Sequence, residues 1–268
     1  MRAAATTEMV RAWQPALPGV AEVFHAQFVE HRYPPHVHDT WTVIIVDRGA
    51  IRYQLDRHDY GSETGTVTLL PPGVVHDGQP ATEAGFRKRV LYVQPEVLAP
   101  SISIGKAVDE PRIRDGADLY RTVARLHTTL QGRDDHIAGE AQLAAIVEQL
   151  GARVGRGPAQ PRPTDPSLAD RLRQLLDAHM FEPVTLAQAG RILGANTTHL
   201  VRSFTRAFGV SPHAYVVGRR VDEARRLLLD GRPAATVAVE VGFHDQAHLS
   251  RHFKRHVGTS PGRFVNQR

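Results

Sequence analysis

The chain has 268 residues, enough to bury a core in one large domain or two ordinary ones, and it contains no cysteine. That excludes a disulfide framework, a thiolate zinc site and a cysteine nucleophile. The formal charge is +5, unevenly placed: from Ser167 onward 15 basic side chains face 8 acidic ones, a surplus of +7, while the rest holds 18 against 20. A weakly acidic front and a basic back third suit a nucleic-acid-binding tail, although a solvated basic surface gives the same count. No stretch of about 18 apolar residues predicts a transmembrane helix. The opening MRAAATTEMVRAW lacks the apolar core of a signal peptide, so the expected location is the cytoplasm, with no membrane partner.

From about Val20 to Val93, short runs rich in β-branched residues alternate with turn residues, as in WTVIIV (41–46), DRG, IRYQL (51–55) and TVTLL (66–70) closed by PPG. Strands at this spacing predict a β-sandwich or barrel. Within this region HRYPPHVHDTW (31–41) and GTVTLLPPGVVH (65–76) resemble the two sequence patterns of the cupin barrels. His36 and His38, two apart on a strand, share one face. The resemblance implies that Gly65-x5-Pro71-x-Gly73-x2-His76 brings His76 to the same barrel mouth. The expected site is an effector pocket in which His36, His38 and His76 bond a polar small molecule beside Trp41 and Tyr53. Two alternatives stand beside it: imidazoles bonded within the barrel rim, and a three-histidine site for a divalent metal, since imidazole suits zinc, iron or nickel. The carboxylate that enzymatic cupins place shortly past the second histidine is replaced here by Thr42 and Val43, so no metal or other cofactor is expected.

From about Asp115 the period becomes helical. Leu119, Val123, Leu126 and Leu130 form one stripe, and a second helix is predicted over 135–154. These helices either pack on the barrel or form a dimer seam. The segment GRGPAQPRPTDP (155–166) cannot build a core and reads as a linker. The expected division is therefore 1–105 for the barrel, 106–154 for a helical dimerisation or packing segment, 155–166 for the linker and 167–268 for a helical domain.

That last domain contains an internal repeat. LGANTTHLVRSFTRAFGVSP (193–212) and VGFHDQAHLSRHFKRHVGTSP (241–261) agree at eight positions separated by 49, from His199/His248 through Leu200/Leu249, Arg202/Arg251 and Phe204/Phe253 to Pro212/Pro261. Each copy reads as helix, tight turn, helix, with Gly194 and Gly242 in the turns and Asn196 and Asp245 as N-caps. Leu200, Phe204 and Phe208, and likewise Leu249, Phe253 and Val257, are the expected core stripes. The opposite faces carry His199, Arg202 and Arg206, and His248, Arg251 and Arg255, suited to a major groove. Between the copies a helix opens at Pro212 and closes at Gly231. Its stripe is Val217, Val221, Ala224 and Leu228, with Arg219, Arg220, Arg225 and Arg226 outside it. Such a helix is about 27 Å long, the right order for holding two reading helices one DNA turn apart.

The roughly 100 residues from Ser167 resemble the AraC/XylS-type DNA-binding domain, and VGFHDQAHLSRHFKRHVGTSPGRF follows that family's signature almost throughout. The histidine-bearing front segments also resemble the sensor domain found ahead of many such domains. The implied fold class is α+β in two domains: a cupin-like β-barrel with helices after it, then an all-α double helix-turn-helix domain. The implied function is a DNA-binding transcription regulator controlled by a small-molecule effector, with double-stranded DNA, RNA polymerase and a second copy of the chain as partners. The base-reading positions fall on Thr198, Val201 and Arg202 in the first copy, and on Gln246, Ala247, His248 and Arg251 in the second. Thr197, Arg206, Lys254 and Arg255 fall to phosphates. His244 stands where serine is common, and Val201 offers no hydrogen bond, so the first half-site is expected to be read more loosely. A metal-dependent cupin enzyme with a DNA-binding tail is the competing function. DNA-alkylation repair, which also uses such tails, needs a cysteine that is absent. No G-x-S-x-G, phosphate loop or dinucleotide fingerprint occurs.

Overall fold

The computed structural model describes residues 8–113, 116–132, 136–155, 167–182 and 184–266. Residues 156–166 of the expected linker, and Asp115 and Asp135 at the expected helix starts, lie outside the described residues. The front half contributes β1 (Met9–Trp13), β2 (Val20–Phe28), β3 (Tyr33–His36), β4 (Trp41–Leu55), β5 (His58–Glu63), β6 (Val67–Leu70), β7 (His76–Pro80) and β8 (Phe86–Val93). Two short helices, α1 (Pro95–Leu98) and α2 (Ile104–Asp109), precede β9 (Arg112–Ile113), and α3 (Ala117–Thr129) and α4 (His136–Val154) follow. All pairings are antiparallel, and the sheet runs β1-β2-β8-β4-β6-β9. A second set of pairings joins β5 and β7 to β4, and β3 to β7.

β4 builds both sets. Its first half pairs with β6 and β8, its second half with β5 and β7, and the register breaks between Val46 and Arg48. Gly49 follows the break at φ +73°, where a Cβ would lie 2.0 Å from the Gly85 carbonyl oxygen, so only glycine lets the strand turn from one layer into the other. Every residue from Trp41 to Val46 is buried, because the strand is covered on both sides. Trp41, Val43 and Ile45 face Leu119, Val123 and Leu126 of α3 and Leu143, Ile146 and Leu150 of α4. The two helices thus pack on the barrel. Ile44 and Val46 face inward to a second core.

The back part holds α5 (Leu168–Ala178), α6 (Leu186–Leu193), α7 (Thr197–Phe208), α8 (Pro212–Leu229), α9 (Ala234–Glu240), α10 (Gln246–Val257) and α11 (Pro261–Asn266). The helices start where side chains satisfy the orphan N–H groups. Thr185 and Gln188 form a capping box, Asn196 accepts from the His199 N–H, Ser211 from Ala214, and Asp245 from His248. Leu200 and Phe204, and Leu249, Phe253 and Val257, are buried, while Phe208 is half-buried.

The inner core of the barrel does not stop at the barrel. Phe24, Phe28, Ile44 and Tyr92 are continuous with Val221, Leu228, Phe253 and Phe264 of α8, α10 and α11. This corrects the sequence reading of α8. Arg225, placed outside the apolar stripe, is only 6% exposed. Its guanidinium donates to Glu22 Oε1 of β2 at 2.5 Å and to Tyr92 Oη of β8 at 3.3 Å, and lies over the Tyr92 ring at 4.6 Å. Arg219 reaches Asp39 in the loop before β4, and also Asp177 and Tyr215. Arg220 donates to the carbonyls of Met180 and Gly242, tying α8 to the second helix-turn-helix. The arginines that the sequence left on an outer face therefore fasten the helical module to the barrel and to itself.

A buried ion pair that loses one member leaves the other charge uncompensated, at a cost of about 3–5 kcal/mol. Glu22→Ala is expected to lower the unfolding free energy by that order, and Glu22→Leu with Arg225→Met to recover most of it. Urea unfolding followed by tryptophan fluorescence checks both; equal losses in the single and double variants contradict the pairing.

Candidate functional site

The barrel interior encloses a cavity of about 50 Å³, roofed by the helical module. The barrel lines it with Tyr33, His36, His38, Tyr53, His76 and Lys88, and α8 and α10 close it with Gly218, Asp222, Arg225 and His256. Four of the five pocket residues expected from the sequence therefore meet there. Trp41 does not. It lies in the outer core under α3 and α4, because alternation along β4 sends Trp41 outward and its neighbour Thr42 inward.

His36 and His38 approach Nε2 to Nε2 at 3.2 Å, and the His76 ring lies 4.4 Å from His36 and 5.2 Å from His38 between centroids. One ligating nitrogen from each lies within 4.8 Å of the others. The remaining ring nitrogens are held: His36 Nδ1 by the Pro34 carbonyl at 2.7 Å, His76 Nδ1 by the Val74 carbonyl at 3.1 Å, and His38 Nδ1 by Asp222 Oδ2 at 2.8 Å. Asp222 belongs to α8, so a residue of the helical module orients a residue of the barrel. Burial and the neighbouring imidazoles push His36 well below the usual histidine range, and burial pushes His76 down to about 3. Asp222 is half-buried, and desolvation works to raise it, yet His38, Arg225 and Arg219 hold it below the usual carboxylate range.

Sequence reasoning missed Lys88, Tyr33 and Arg225. The Lys88 ammonium lies over the Tyr33 ring at 4.1 Å, and burial with nearby Arg225 pushes it down to about 7. Tyr33 Oη and Thr42 Oγ1 are buried beside the cavity and find no hydrogen-bond partner among the described residues. Unpartnered buried hydroxyls grouped at one cavity mark it as a place for a polar occupant.

Elsewhere on the helical module, α7 and α10 are both 12 residues long and present the two faces predicted from the repeat. Thr197, Thr198, Arg202 and Arg206 are exposed on α7, with Val201 half-buried; Gln246, Ala247, Arg251, Lys254 and Arg255 are exposed on α10, with His248 half-buried. His248 is partly fixed by the Phe243 and His252 rings. Among the described residues, the side chains of Arg202, Arg206, Arg251, Lys254 and Arg255 make no hydrogen bond or ion pair, unlike the arginines of α8.

A ligand-sized barrel roofed by a twin helix-turn-helix module defines a DNA-binding regulator with a sensor domain. The family model for the AraC-like ligand binding domain matches residues 18–150, and that for a helix-turn-helix domain matches 190–267. The uncharacterized HTH-type transcriptional regulator YdiP of Escherichia coli K12 is 32% identical over 254 residues, 87% of this chain and 80% of that one. The arabinose operon regulatory protein of the same organism is 27% identical over 218 residues, 75% of this chain and 71% of that one. Among solved structures, unsaturated fatty acid-bound wild-type ToxT from Vibrio cholerae superposes with a TM-score of 0.57 at 12% identity, over 100% of this chain and 98% of that one, a likeness of fold. The chain belongs to the AraC/XylS-type family of DNA-binding transcription regulators, with an AraC-like ligand-binding domain ahead of its helix-turn-helix domain.

Lys88 makes stability depend on pH. Between about 7 and 10.5 the unfolded chain binds a proton at Lys88 that the native state does not, so stability rises with pH across that window, by at most about 1.4 kcal/mol per pH unit. Thermal melts between pH 7 and 9 are expected to show this rise in the wild type and a flatter profile in Lys88→Met; parallel profiles contradict the burial of the ammonium.

Proposed function

We propose that this regulator lays α7 and α10 into successive major grooves on one DNA face, and that a small polar occupant of the barrel cavity sets how firmly α8 is seated. The observation that carries this reading is the double role of the helical module: α7 and α10 expose five cations that pair with none of the described residues, and α8 and α10 roof the sensor cavity. In this reading Arg202 and Arg251 bond guanine edges, with Thr198 and Val201, and Gln246, Ala247 and His248, completing the base contacts. Thr197, Arg206, Lys254 and Arg255 take phosphates. In the same reading the chain divides into a barrel at 1–105, a helical segment at 106–154, a linker at 155–166 and the DNA-binding domain at 167–268.

Cavity size supports a small effector. A single water needs about 10–15 Å³ of such space, so about 50 Å³ suits a ligand of few atoms. The fatty acid in the ToxT structure is that protein's ligand; an acyl chain here requires the roof to lift. An occupant alters DNA binding only if it favours one seating of α8 over another. The chain acts without catalysis, in the cytoplasm, as a homodimer that contacts RNA polymerase. The relatives' names as regulators, and Thr42 and Val43 in place of a cupin carboxylate, support the first of these.

The test is a titration against the promoter region beside the chain's own gene, at two salt concentrations and with excess non-specific DNA. Specific binding is expected to survive the competitor. Arg251→Ala is expected to cost about 1–3 kcal/mol and relax preference at one base pair. Arg255→Ala is expected to weaken all sequences alike and lower the salt slope by about one. An Arg251→Ala protein that keeps its sequence preference contradicts the base-reading assignment.

A further inference from the structure

Strand alternation decides where Lys88 points. Along β8, Phe86, Val90 and Tyr92 join the inner core, while Leu91 and Val93 join the outer one and Arg89 reaches Asp47 and the Ala124 carbonyl of α3. Lys88 is thereby committed to the inner face, where it lines the cavity. Its ammonium meets three rings, lying 4.1 Å from the Tyr33 centroid and 5.9 Å from those of Phe24 and Phe86. It meets no carboxylate: among the described residues the Lys88 side chain makes no ion pair or hydrogen bond. The acidic groups nearby are engaged elsewhere. Glu22 pairs with Arg225, Asp222 with His38 and Arg225, and Asp77 accepts from the Gln54 N–H.

The atoms left unpartnered around the cavity share one chemistry. Tyr33 Oη, Tyr53 Oη, Thr42 Oγ1 and Arg225 Nε are buried, find no partner among the described residues, and can each donate. A wall with surplus donors and one unpaired cation is completed by a ligand that only accepts and carries a single negative charge. An ionised carboxylate is such a group. Size sets the rest of the ligand: about 50 Å³ holds roughly three to five waters at about 10–15 Å³ each, the bulk of acetate or propionate. We propose that the cavity binds a short-chain monocarboxylate, its carboxylate on the Lys88 ammonium and the Tyr33 hydroxyl and its alkyl group against Ile44, Leu70 and Val90.

Burial and Arg225 push the Lys88 ammonium down to about 7, and an anion beside it offsets that penalty, so the bound ligand holds the charged form. Lys88 and Arg225 also share the Phe24 ring, at 5.9 and 5.3 Å, which places the carboxylate beside the ion pair that seats α8. The monocarboxylate is then the effector. That consequence rests on the sensor reading of the cavity; the binding site itself does not.

The full chain is titrated with acetate, propionate and octanoate, and with the neutral isosteres acetamide and propionamide, by ligand-observed NMR and calorimetry at constant ionic strength. One equivalent of acetate or propionate is expected to bind, with the amides at least about 10-fold weaker and octanoate excluded by size. Lys88→Met is expected to weaken carboxylate binding about 10–100-fold, and Tyr33→Phe about 2–10-fold. Circular dichroism checks that each variant is folded, and the wild-type preference for carboxylate over amide stands whatever the variants do. Amides that bind as tightly as carboxylates, octanoate that binds more tightly than propionate, or unchanged affinity in a folded Lys88→Met protein overturns the proposal. So does the absence of any carboxylate binding, and inorganic phosphate bound in preference to propionate overturns it in favour of an oxyanion without a tail. Affinity for the promoter region is measured on the same samples. A carboxylate bound with unchanged DNA affinity retains the site and refutes the sensor reading. DNA affinity that shifts with an amide but not with a carboxylate retains the sensor reading and overturns the proposal.

Discussion

The structure turns on one buried guanidinium. Arg225 projects from the helix that joins the two helix-turn-helix units, enters the sensor barrel, and pairs with Glu22 while lying over Tyr92. A charge taken out of water is tolerated only where it is paired and bonded, so this contact fixes where α8 rests and cannot be made elsewhere. With α8 placed, Asp222 falls against His38, Gly218 against His36, and His256 at the cavity wall. Barrel and DNA-binding module thus share a core as well as a chain. Any ligand of the cavity meets residues of the module.

Such sharing is what coupling between two sites requires physically. A barrel that merely neighboured the DNA-binding helices would bind its ligand equally well in every arrangement and shift nothing. Here part of the cavity wall belongs to the helical module, so an occupant contacts the barrel and α8 together. Linkage is reciprocal: if cavity occupancy alters DNA affinity, DNA binding must alter the cavity. The side chains of Arg202, Arg206, Arg251, Lys254 and Arg255 stay exposed on α7 and α10 while α8 is seated.

Local features were legible in the sequence. The 49-residue repeat located both helix-turn-helix units, and the caps at Asn196 and Asp245 and the buried stripes follow from side-chain chemistry and the 3.6-residue period. His36, His38 and His76 were placed together by spacing and resemblance. What the sequence hid lies across long separations. Arg225 is one of four arginines bordering an apolar stripe, and periodicity tells which face of a helix is apolar without telling which bordering charge a second domain will cover. Lys88 reads as an outward residue between Arg87 and Arg89 until the barrel closes around it. Trp41 and Thr42 differ by one residue, and in a strand buried on both faces the run WTVIIV carries no alternation to say which one faces the cavity. The His38–Asp222 bond spans 184 residues and has no local signature.

The claim that most needs a direct test is that the cavity and the DNA-reading helices are thermodynamically joined through α8. Hydrogen–deuterium exchange on the full chain, free and saturated with a duplex it has selected from a random pool, measures this. Such coupling predicts altered exchange in α7 and α10, in α8, and in the cavity strands β2, β3 and β8. Changes confined to α7 and α10, with the barrel strands unaltered, would contradict it.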